Sequence, residues 1–209
     1  MRILLVAATR KEIQPFRAMH SDIDILITGV GVPATIYSLQ KKLQQNQYDL
    51  AIQAGIAGSF GNEFLQGQVV LVQQDRFGDL GKEEEGCFST IFEMGFENED
   101  EYPYNKGWLL NHNPYLLISS LPKVKALTVN KVTDDPAPTR QLINKFDPQV
   151  ESMEGAAFHY VCLQEKLPFL QIRGISNYVG ERDRKKWRIP EAIEQLNTEL
   201  SILVDQLMG

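Results

Sequence analysis

Side chains able to transfer protons or form hydrogen bonds follow two apolar runs that are typical of buried strands. Glu12 comes shortly after the run "RILLVAA", and Ser176 and Asn177 stand at the end of "PFLQIRGIS". Ligands of open α/β folds bind at the carboxyl ends of the strands, so these residues are candidates for one site. A carboxylate and an amide at that edge would suit acid–base chemistry on a small polar substrate.

Glu12 also has a structural interpretation. Thr9 and Glu12 have the spacing of a capping box, in which two side chains satisfy backbone N–H groups at the start of a helix. Pattern alone favours the cap. The position of Glu12 after the first predicted strand is what makes it a candidate catalytic base.

Two further acids, Glu151 and Glu154, are predicted to stand at the start of the helix "SMEGAAFHYVCLQEK". The helix dipole favours acids there, which is a sufficient structural reason for both. Met153, Glu154 and the small residues after them would also let a substrate lie close to the backbone. Since a carboxylate can accept two hydrogen bonds from a vicinal diol, Glu154 is a candidate for binding a ribose.

A glycine-rich turn, "GVGVPA", follows the second predicted strand and precedes a helix. It fits the first half of a dinucleotide-binding fingerprint, whose second half is an acid that ends the next strand. Asp49 has about the right spacing but precedes the next strand, "LAIQAG", instead of ending it. The pattern therefore favours a plain tight turn over dinucleotide binding.

The elements that would position these residues alternate between strand and helix patterns. Alternation of this kind predicts one α/β domain over residues 1–209, with a central mixed, mostly parallel sheet flanked by helices. Residues 76–114 lack periodicity and are rich in Gly, Glu, Asn and aromatic residues. We expect them to form a long, mostly irregular and functional excursion.

Composition excludes several classes of function. The chain is 43% hydrophobic and carries 21 basic and 27 acidic side chains, a net charge of −6, which disfavours nucleic acid and anionic membranes as partners. The amino-terminal apolar run is too short for a membrane span and lacks the features of a signal peptide, so a cytoplasmic protein is expected. Two cysteines and three histidines have no metal-ligand spacing, and no metal or organic cofactor is expected.

Taken together and in order, the segments "ATRKEI", "QAGIAGSF", "VESMEGAA" and "RGISNYVG" resemble the nucleoside phosphorylase and nucleosidase superfamily. The resemblance covers essentially the whole chain and implies a three-layer α/β/α fold. The spellings "ESMEGAAF" and "SNYVGERD" are most similar to the futalosine-hydrolysing branch, a relative of the methylthioadenosine/S-adenosylhomocysteine nucleosidases. The resemblance also implies a homo-oligomer, with a dimer favoured, whose neighbouring subunit helps to close the site.

The resemblance implies a role for each matching position. Glu12 would activate the attacking water, Glu154 would hold the ribose hydroxyls, and Met153 would pack beside the sugar. Arg173 would order the carboxylate side of the pocket, and Asn177 would read the base. The other positions expected to contact or admit substrate are Gly55, Ile56, Gly58 and Ser176. The excursion 76–114 and the segment 129–132 are expected to flank the base and the 5′ substituent.

Two positions argue for water instead of phosphate as the nucleophile. The phosphorylase relatives have an arginine and a hydroxyl residue where this chain has Gln53 and Ile56. Neither residue carries a charge, and Ile56 has no polar side-chain atom. A phosphate dianion would therefore lack its cationic partner.

Asn177 stands where the adenine-releasing nucleosidases have an aspartate. A 6-oxopurine offers an acceptor at C6, which an amide can donate to and which a carboxylate would repel. The expected activity is therefore hydrolysis of futalosine to hypoxanthine and dehypoxanthine futalosine. An adenine-releasing nucleosidase, a purine nucleoside phosphorylase and a non-catalytic nucleotide-binding module remain as alternatives.

Overall fold

The computed structural model describes residues 1–133, 135–181 and 183–209 of the 209-residue chain. The strands are β1 to β10 in chain order: Ile3–Ala7, Asp24–Ile27, Leu50–Ser59, Val69–Phe77, Gly81–Glu84, Cys87–Thr90, Leu109–Leu110, Lys123–Thr128, Val150–Ser152 and Phe169–Tyr178. The α-helices are α1 to α5: Gln14–Met19, Val32–Gln45, Pro136–Phe146, Gly155–Gln164 and Ile189–Met208. None of the helices in the described residues is long and apolar enough to span a bilayer.

The main sheet is mixed and mostly parallel, which confirms the predicted fold class. Its order is β10-β4-β8-β9-β3-β1-β2, with β7 paired to β4. An additional parallel pairing joins β10 to β3, so the strands β3, β10, β4, β8 and β9 close into a ring. Because β3 is ten residues long, it can pair with β1 at its start, over Leu50–Gln53, with β10 along most of its length and with β9 at its end.

Strand β1 shows why helices cover both faces of the sheet. Successive side chains of a strand point to opposite faces, and every side chain of β1 is buried. Ile3 and Leu5 belong to one core cluster, with residues of α1 and α5. Leu4 and Val6 belong to a second cluster, with residues of α2 and α4. The chain therefore forms three layers, with the sheet in the middle.

A third cluster joins Phe64, from the segment between β3 and β4, to small and branched side chains of the ring strands: Ala57, Val70, Val72, Val124, Ala126, Val150 and Ile175. This closure of the sheet adds to the predicted architecture, because a period-two pattern indicates buried faces but not which strands pair. It brings the carboxyl ends of β3 and β10 beside the start of β9, and the candidate residues follow from these ends.

The excursion 76–114 is more regular than predicted. It contains the antiparallel hairpin β5–β6 and the short strand β7, which pairs with β4. Lys145 of α3 bonds Glu93 of the excursion, and the Tyr102 hydroxyl donates to the backbone carbonyl of Leu163 in α4. These contacts hold the excursion against helices α3 and α4.

Candidate active site

A mostly apolar cavity of about 340 Å³ lies where the ring of strands meets the start of α5. That volume is typical of a small-molecule site. Seven of the predicted site residues contact it: Glu12, Ile56, Gly58, Met153, Glu154, Ser176 and Asn177. Val129 and Val132 also line it, as expected of the segment 129–132. Among the described lining residues none comes from 76–114, so the excursion does not line this cavity within one chain, although its Asp79 bonds Asn130 next to the lining residue Val129.

Glu12 lies in a short 3₁₀ turn, Arg10–Ile13, directly after β1. Its Oε2 atom accepts hydrogen bonds from the backbone N–H and the hydroxyl of Thr9, both at 2.8 Å. Its Oε1 atom accepts a longer bond, 3.3 Å, from the backbone N–H of Ile56. The capping interaction is therefore present, and it holds a carboxylate that is 8% exposed against the cavity.

Glu154 is the N-cap residue of α4, immediately before Gly155. Its Oε1 atom accepts a 2.9 Å hydrogen bond from the backbone N–H of Gly31, and Oε2 lies 3.8 Å from Nη1 of Arg173. Burial raises the pKa of Glu154, while Arg173 and the Gly31 N–H oppose that rise. Gly31 has a φ of +93°, a conformation that favours glycine. The turn "GVGVPA" thus binds a carboxylate of the protein itself.

Arg173 lies beneath the cavity and is 2% exposed. It donates to Oε1 of Gln171 at 2.9 Å and to Oε1 of Gln53 at 2.8 Å, in addition to its ion pair with Glu154. A Cβ atom on Gly55 would lie 2.5 Å from Nη1 of Arg173 and 3.0 Å from Oε1 of Glu12. Contrary to the prediction, Gly55 does not line the cavity. Its lack of a side chain leaves room for Arg173 and Glu12.

A buried polar network continues from Arg173 away from the cavity. Gln171 donates from its amide to Oδ2 of Asp75 at 3.0 Å and to Nε2 of His159 at 2.9 Å, and the hydroxyl of Thr128 donates to Oδ1 of Asp75. Burial raises the pKa of Asp75 to about 6 and lowers that of His159 to about 3. His159 is therefore neutral, with Nδ1 donating to the carbonyl of Leu109. The sequence did not reveal this network, because its members lie inside apolar strand and helix patterns.

Asn177 reaches the cavity because of an irregularity in β10. The register between β10 and β3 shifts between Ile175 and Asn177, which leaves Ser176 as the extra residue of a β-bulge. Adjacent strand residues normally point to opposite faces, but here both Ser176 and Asn177 line the cavity. Oδ1 of Asn177 accepts from the Ser176 hydroxyl at 2.8 Å, and Nδ2 donates to the Tyr178 carbonyl at 3.2 Å. No other acceptor among the described residues bonds Nδ2, so its second hydrogen can donate to a ligand.

Glu151 lines the cavity but is not among the site residues that the sequence predicts. It belongs to strand β9, whereas the prediction placed it at the start of a helix with Glu154. It is 6% exposed and lines the cavity. Burial, and secondarily the charge of Asp79, raise the pKa of Glu151 to about 7. The signal in the sequence was "QVES", a short apolar-flanked segment that resembles a strand as much as a helix start.

The described residues contain no cluster of three or more His, Cys, Asp or Glu side chains arranged to hold a metal ion. The described residues that line the cavity include three carboxylates, Glu12, Glu151 and Glu154, and the amide of Asn177. Of the motif "SNYVGERD", Arg182 lies outside the described residues.

Comparison with known proteins places the chain among nucleoside-cleaving enzymes and their relatives. A futalosine hydrolase of Streptomyces coelicolor is 29% identical over 196 residues, which span 88% of this chain and 79% of the relative. A 5′-methylthioadenosine/S-adenosylhomocysteine nucleosidase of Shewanella halifaxensis is 27% identical over 162 residues, 74% of this chain and 68% of the relative.

Solved structures share the fold. The native futalosine hydrolase of Helicobacter pylori superposes with a TM-score of 0.81 at 14% identity, over 98% of this chain and 97% of that one. The Neisseria meningitidis nucleosidase in complex with methylthio-immucillin-A gives 0.82 at 14% identity, over 98% of this chain and 99% of that one. The sequence profile of the Phosphorylase superfamily matches residues 21–208. The chain belongs to the Phosphorylase superfamily.

Proposed function

We propose that the chain is a nucleosidase that hydrolyses the N-glycosidic bond of futalosine and releases hypoxanthine and dehypoxanthine futalosine. The observation that carries this proposal is the grouping of Glu12, Glu154 and Asn177 around one mostly apolar cavity. Relatives at 29% identity from Streptomyces coelicolor and Thermus thermophilus are named futalosine hydrolases. Together these findings support both the reaction type and the substrate.

Cleavage of an N-glycosidic bond builds positive charge on the sugar and negative charge on the departing base. Glu12 is proposed as the base that takes a proton from the attacking water. Among the described residues, its Oε1 atom accepts only the long 3.3 Å bond from Ile56, so it is the oxygen better able to accept that proton. Glu154, oriented by Gly31 and Arg173, is proposed to bind the ribose hydroxyls, with Met153 and Gly58 beside the sugar.

Water is the proposed nucleophile because the cavity offers a phosphate dianion little positive charge. Gln53 stands where the phosphorylase relatives have an arginine, and its Oε1 atom accepts from Arg173. Arg173 is itself committed to Gln53, Gln171 and Glu154. Among the described residues that line the cavity, Lys11 is the one cation, and its residue is exposed.

Methylthioadenosine/S-adenosylhomocysteine nucleosidase activity is the second candidate, and relatives at 25–27% identity favour it. The amide of Asn177 argues against it. Its free hydrogen can donate to O6 of hypoxanthine, whereas the 6-amino group of adenine is itself a donor.

The wider setting follows from the substrate. Futalosine cleavage implies a role in menaquinone biosynthesis and a cytoplasmic location. A homo-oligomer, with a dimer favoured, stays a prediction. It is supported by Val30 and Val132, which line the cavity yet are 58% and 48% exposed, so that a neighbouring subunit could cover them.

The proposed function is tested by incubating the enzyme with futalosine, inosine and methylthioadenosine and separating the products by chromatography. We expect hypoxanthine from futalosine at a much higher kcat/KM than adenine from methylthioadenosine. Preferential release of adenine would instead establish the second candidate, and binding without product would indicate a non-catalytic module.

A further inference from the structure

The proposed reaction leaves one proton without a donor. The departing hypoxanthine carries negative charge on its imidazole ring and leaves more readily if N7 is protonated as the C1′–N9 bond breaks. Asn177 stands beside the base in the proposed function, but an amide has no proton that it can give up. A group that can protonate the base must therefore be sought among the other residues of the cavity.

The strand register places the carboxyl group of Glu151 near Asn177. Gly58 of β3 pairs with Glu151 of β9 on one side and with Asn177 of β10 on the other. A Cβ atom on Gly58 would lie 3.1 Å from Nδ2 of Asn177 and 3.6 Å from Cγ of Glu151. The two side chains therefore converge on the same face of the sheet, over a residue that has no side chain of its own.

Glu151 differs from the other two carboxylates of the cavity in its partners. Glu12 accepts hydrogen bonds from Thr9 and Ile56, and Glu154 accepts one from Gly31 and lies near Arg173. Such donors stabilise the ionised form of a carboxyl group. No donor among the described residues bonds the side chain of Glu151, although it is 6% exposed.

The charges around Glu151 also favour its protonated form. Burial is the larger cause of the raised pKa of Glu151, and the charge of Asp79, in the loop after β4, is the smaller one. Together they raise this pKa to about 7. Among the described residues that line the cavity, the one cation is Lys11, and it is exposed. A carboxyl group with this pKa is protonated in a substantial fraction of molecules at neutral pH, as a general acid must be.

We infer that Glu151 is the general acid that protonates the departing purine, an inference that rests on the proposed nucleosidase function. As the C1′–N9 bond breaks, its electron pair passes to the base, and the proton of the Glu151 carboxyl group passes to N7. Water attacks C1′ and gives a proton to Glu12. Solvent then returns a proton to Glu151 and removes one from Glu12, so that the net reaction consumes one water.

Three other cavity groups fit this role less well. Glu154 is oriented by Gly31 and Arg173 for the sugar. The Ser176 hydroxyl already lies within hydrogen-bond distance of two acceptors, the Ala57 carbonyl and Oδ1 of Asn177. Lys11 follows β1 on the side of Glu12, one residue away along the chain, and so lies beside the proposed base.

The test uses Glu151→Gln, which keeps the size and the hydrogen-bonding capacity of the side chain but cannot donate a proton to N7. On futalosine we expect kcat to fall by about 10²–10⁴-fold. On a 4-nitrophenyl riboside, whose leaving group departs as a stable anion, the loss should be far smaller. Glu12→Gln should lose activity on both substrates, and the surface variant Glu194→Gln on neither.

The pH profile on futalosine gives a second readout. Because the acid must be protonated, kcat/KM of the unmodified enzyme should fall as pH rises through about 7, and Glu151→Gln should lack that fall. Equal losses on the two substrates, an unchanged alkaline limb, or kcat on futalosine within threefold of the unmodified enzyme would each overturn the inference. Absence of base release by the unmodified enzyme would instead refute the proposed function.

Discussion

At the scale of single residues, the carboxyl groups of the cavity are chemically alike and differ in the hydrogen-bond donors that contact them. Glu12 is bonded by Thr9 and Ile56, Glu154 by Gly31, and Glu151 by no donor among the described residues. The same side-chain type can therefore serve as base, sugar ligand and acid, because each carboxyl group has different hydrogen-bond partners.

Glu12→Gln separates the catalytic from the capping role. The glutamine keeps one oxygen to accept from Thr9 but cannot take a proton from water. We expect kcat to fall by about 10²–10⁴-fold, the range for lost general-base catalysis. The melting temperature should change little, because a cap contributes only about 1 kcal/mol. An early-melting variant with normal turnover would show that Glu12 only caps the turn.

Asn177→Asp tests whether this position reads the base. The aspartate could still accept from Ser176, but it would lose the donor for O6 and set a carboxylate oxygen near the Tyr178 carbonyl. The kcat/KM for futalosine should fall by as much as roughly 10⁴-fold, and the fall should ease at low pH as the aspartate protonates. The ratio of kcat/KM for futalosine to that for its adenine analogue is the measurement. An unchanged ratio would remove the main support for hypoxanthine.

Glu151→Gln should also change how stability depends on pH. A raised pKa in the folded state means that the stabilising effect of the protonated carboxyl is present below its unfolded pKa and is lost as pH rises through about 7. Replacing the group should therefore reduce the loss of unfolding free energy between pH 4.5 and pH 8 by about 3 kcal/mol. Denaturant titrations at the two pH values measure this, and equal losses in both proteins would show that Glu151 titrates normally.

At the scale of elements, the start of α4 positions Glu154 and packs against the buried polar network of Asp75 and Gln171. A Cβ atom on Gly155 would lie 2.1 Å from Oδ2 of Asp75 and 2.5 Å from Oε1 of Gln171. Both atoms belong to fully buried side chains, so neither can move into solvent. The helix can therefore approach the strands this closely only because position 155 has no side chain.

Gly155→Ala should destabilise the protein by about 1–3 kcal/mol, the usual range for overpacking a core. It should also raise KM, since Glu154 is the adjacent residue. Gly61→Ala is the matched control, because nothing lies within 4 Å of a Cβ at that position. The melting temperatures of the two variants make the comparison, and similar values would mean that the network adapts freely.

The elements also show which structural features can be predicted from the sequence and which cannot. Continuous apolar runs such as β1 predict buried strands because both faces of the sheet are covered. The bulge at Ser176 and the pairing of Glu151 with Gly58 depend on register, which no local pattern encodes. The prediction that Glu151 starts a helix is wrong for this reason. The prediction that Gly55 contacts the substrate is wrong because the absence of a side chain at Gly55 leaves room for Arg173.

At the scale of the whole molecule, closure of the sheet between β10 and β3 assembles the site from distant parts of the chain. Glu12, Glu154 and Asn177 come from the first, the ninth and the tenth strand regions, and a single cavity contacts all three. Partial unfolding of either end of the chain should therefore abolish activity. The fold is shared with phosphorylases as well as hydrolases, so the nucleophile has to be decided by the residues of the site.

The most direct test of the account is to follow futalosine cleavage in phosphate-free buffer made with ¹⁸O-labelled water. We predict full turnover without phosphate and one ¹⁸O atom at C1′ of the sugar product, because Gln53 is uncharged and Arg173 is committed to Gln53 and Glu154. Added phosphate should not change the rate. A strict requirement for phosphate, with a sugar 1-phosphate as the product, would contradict the account.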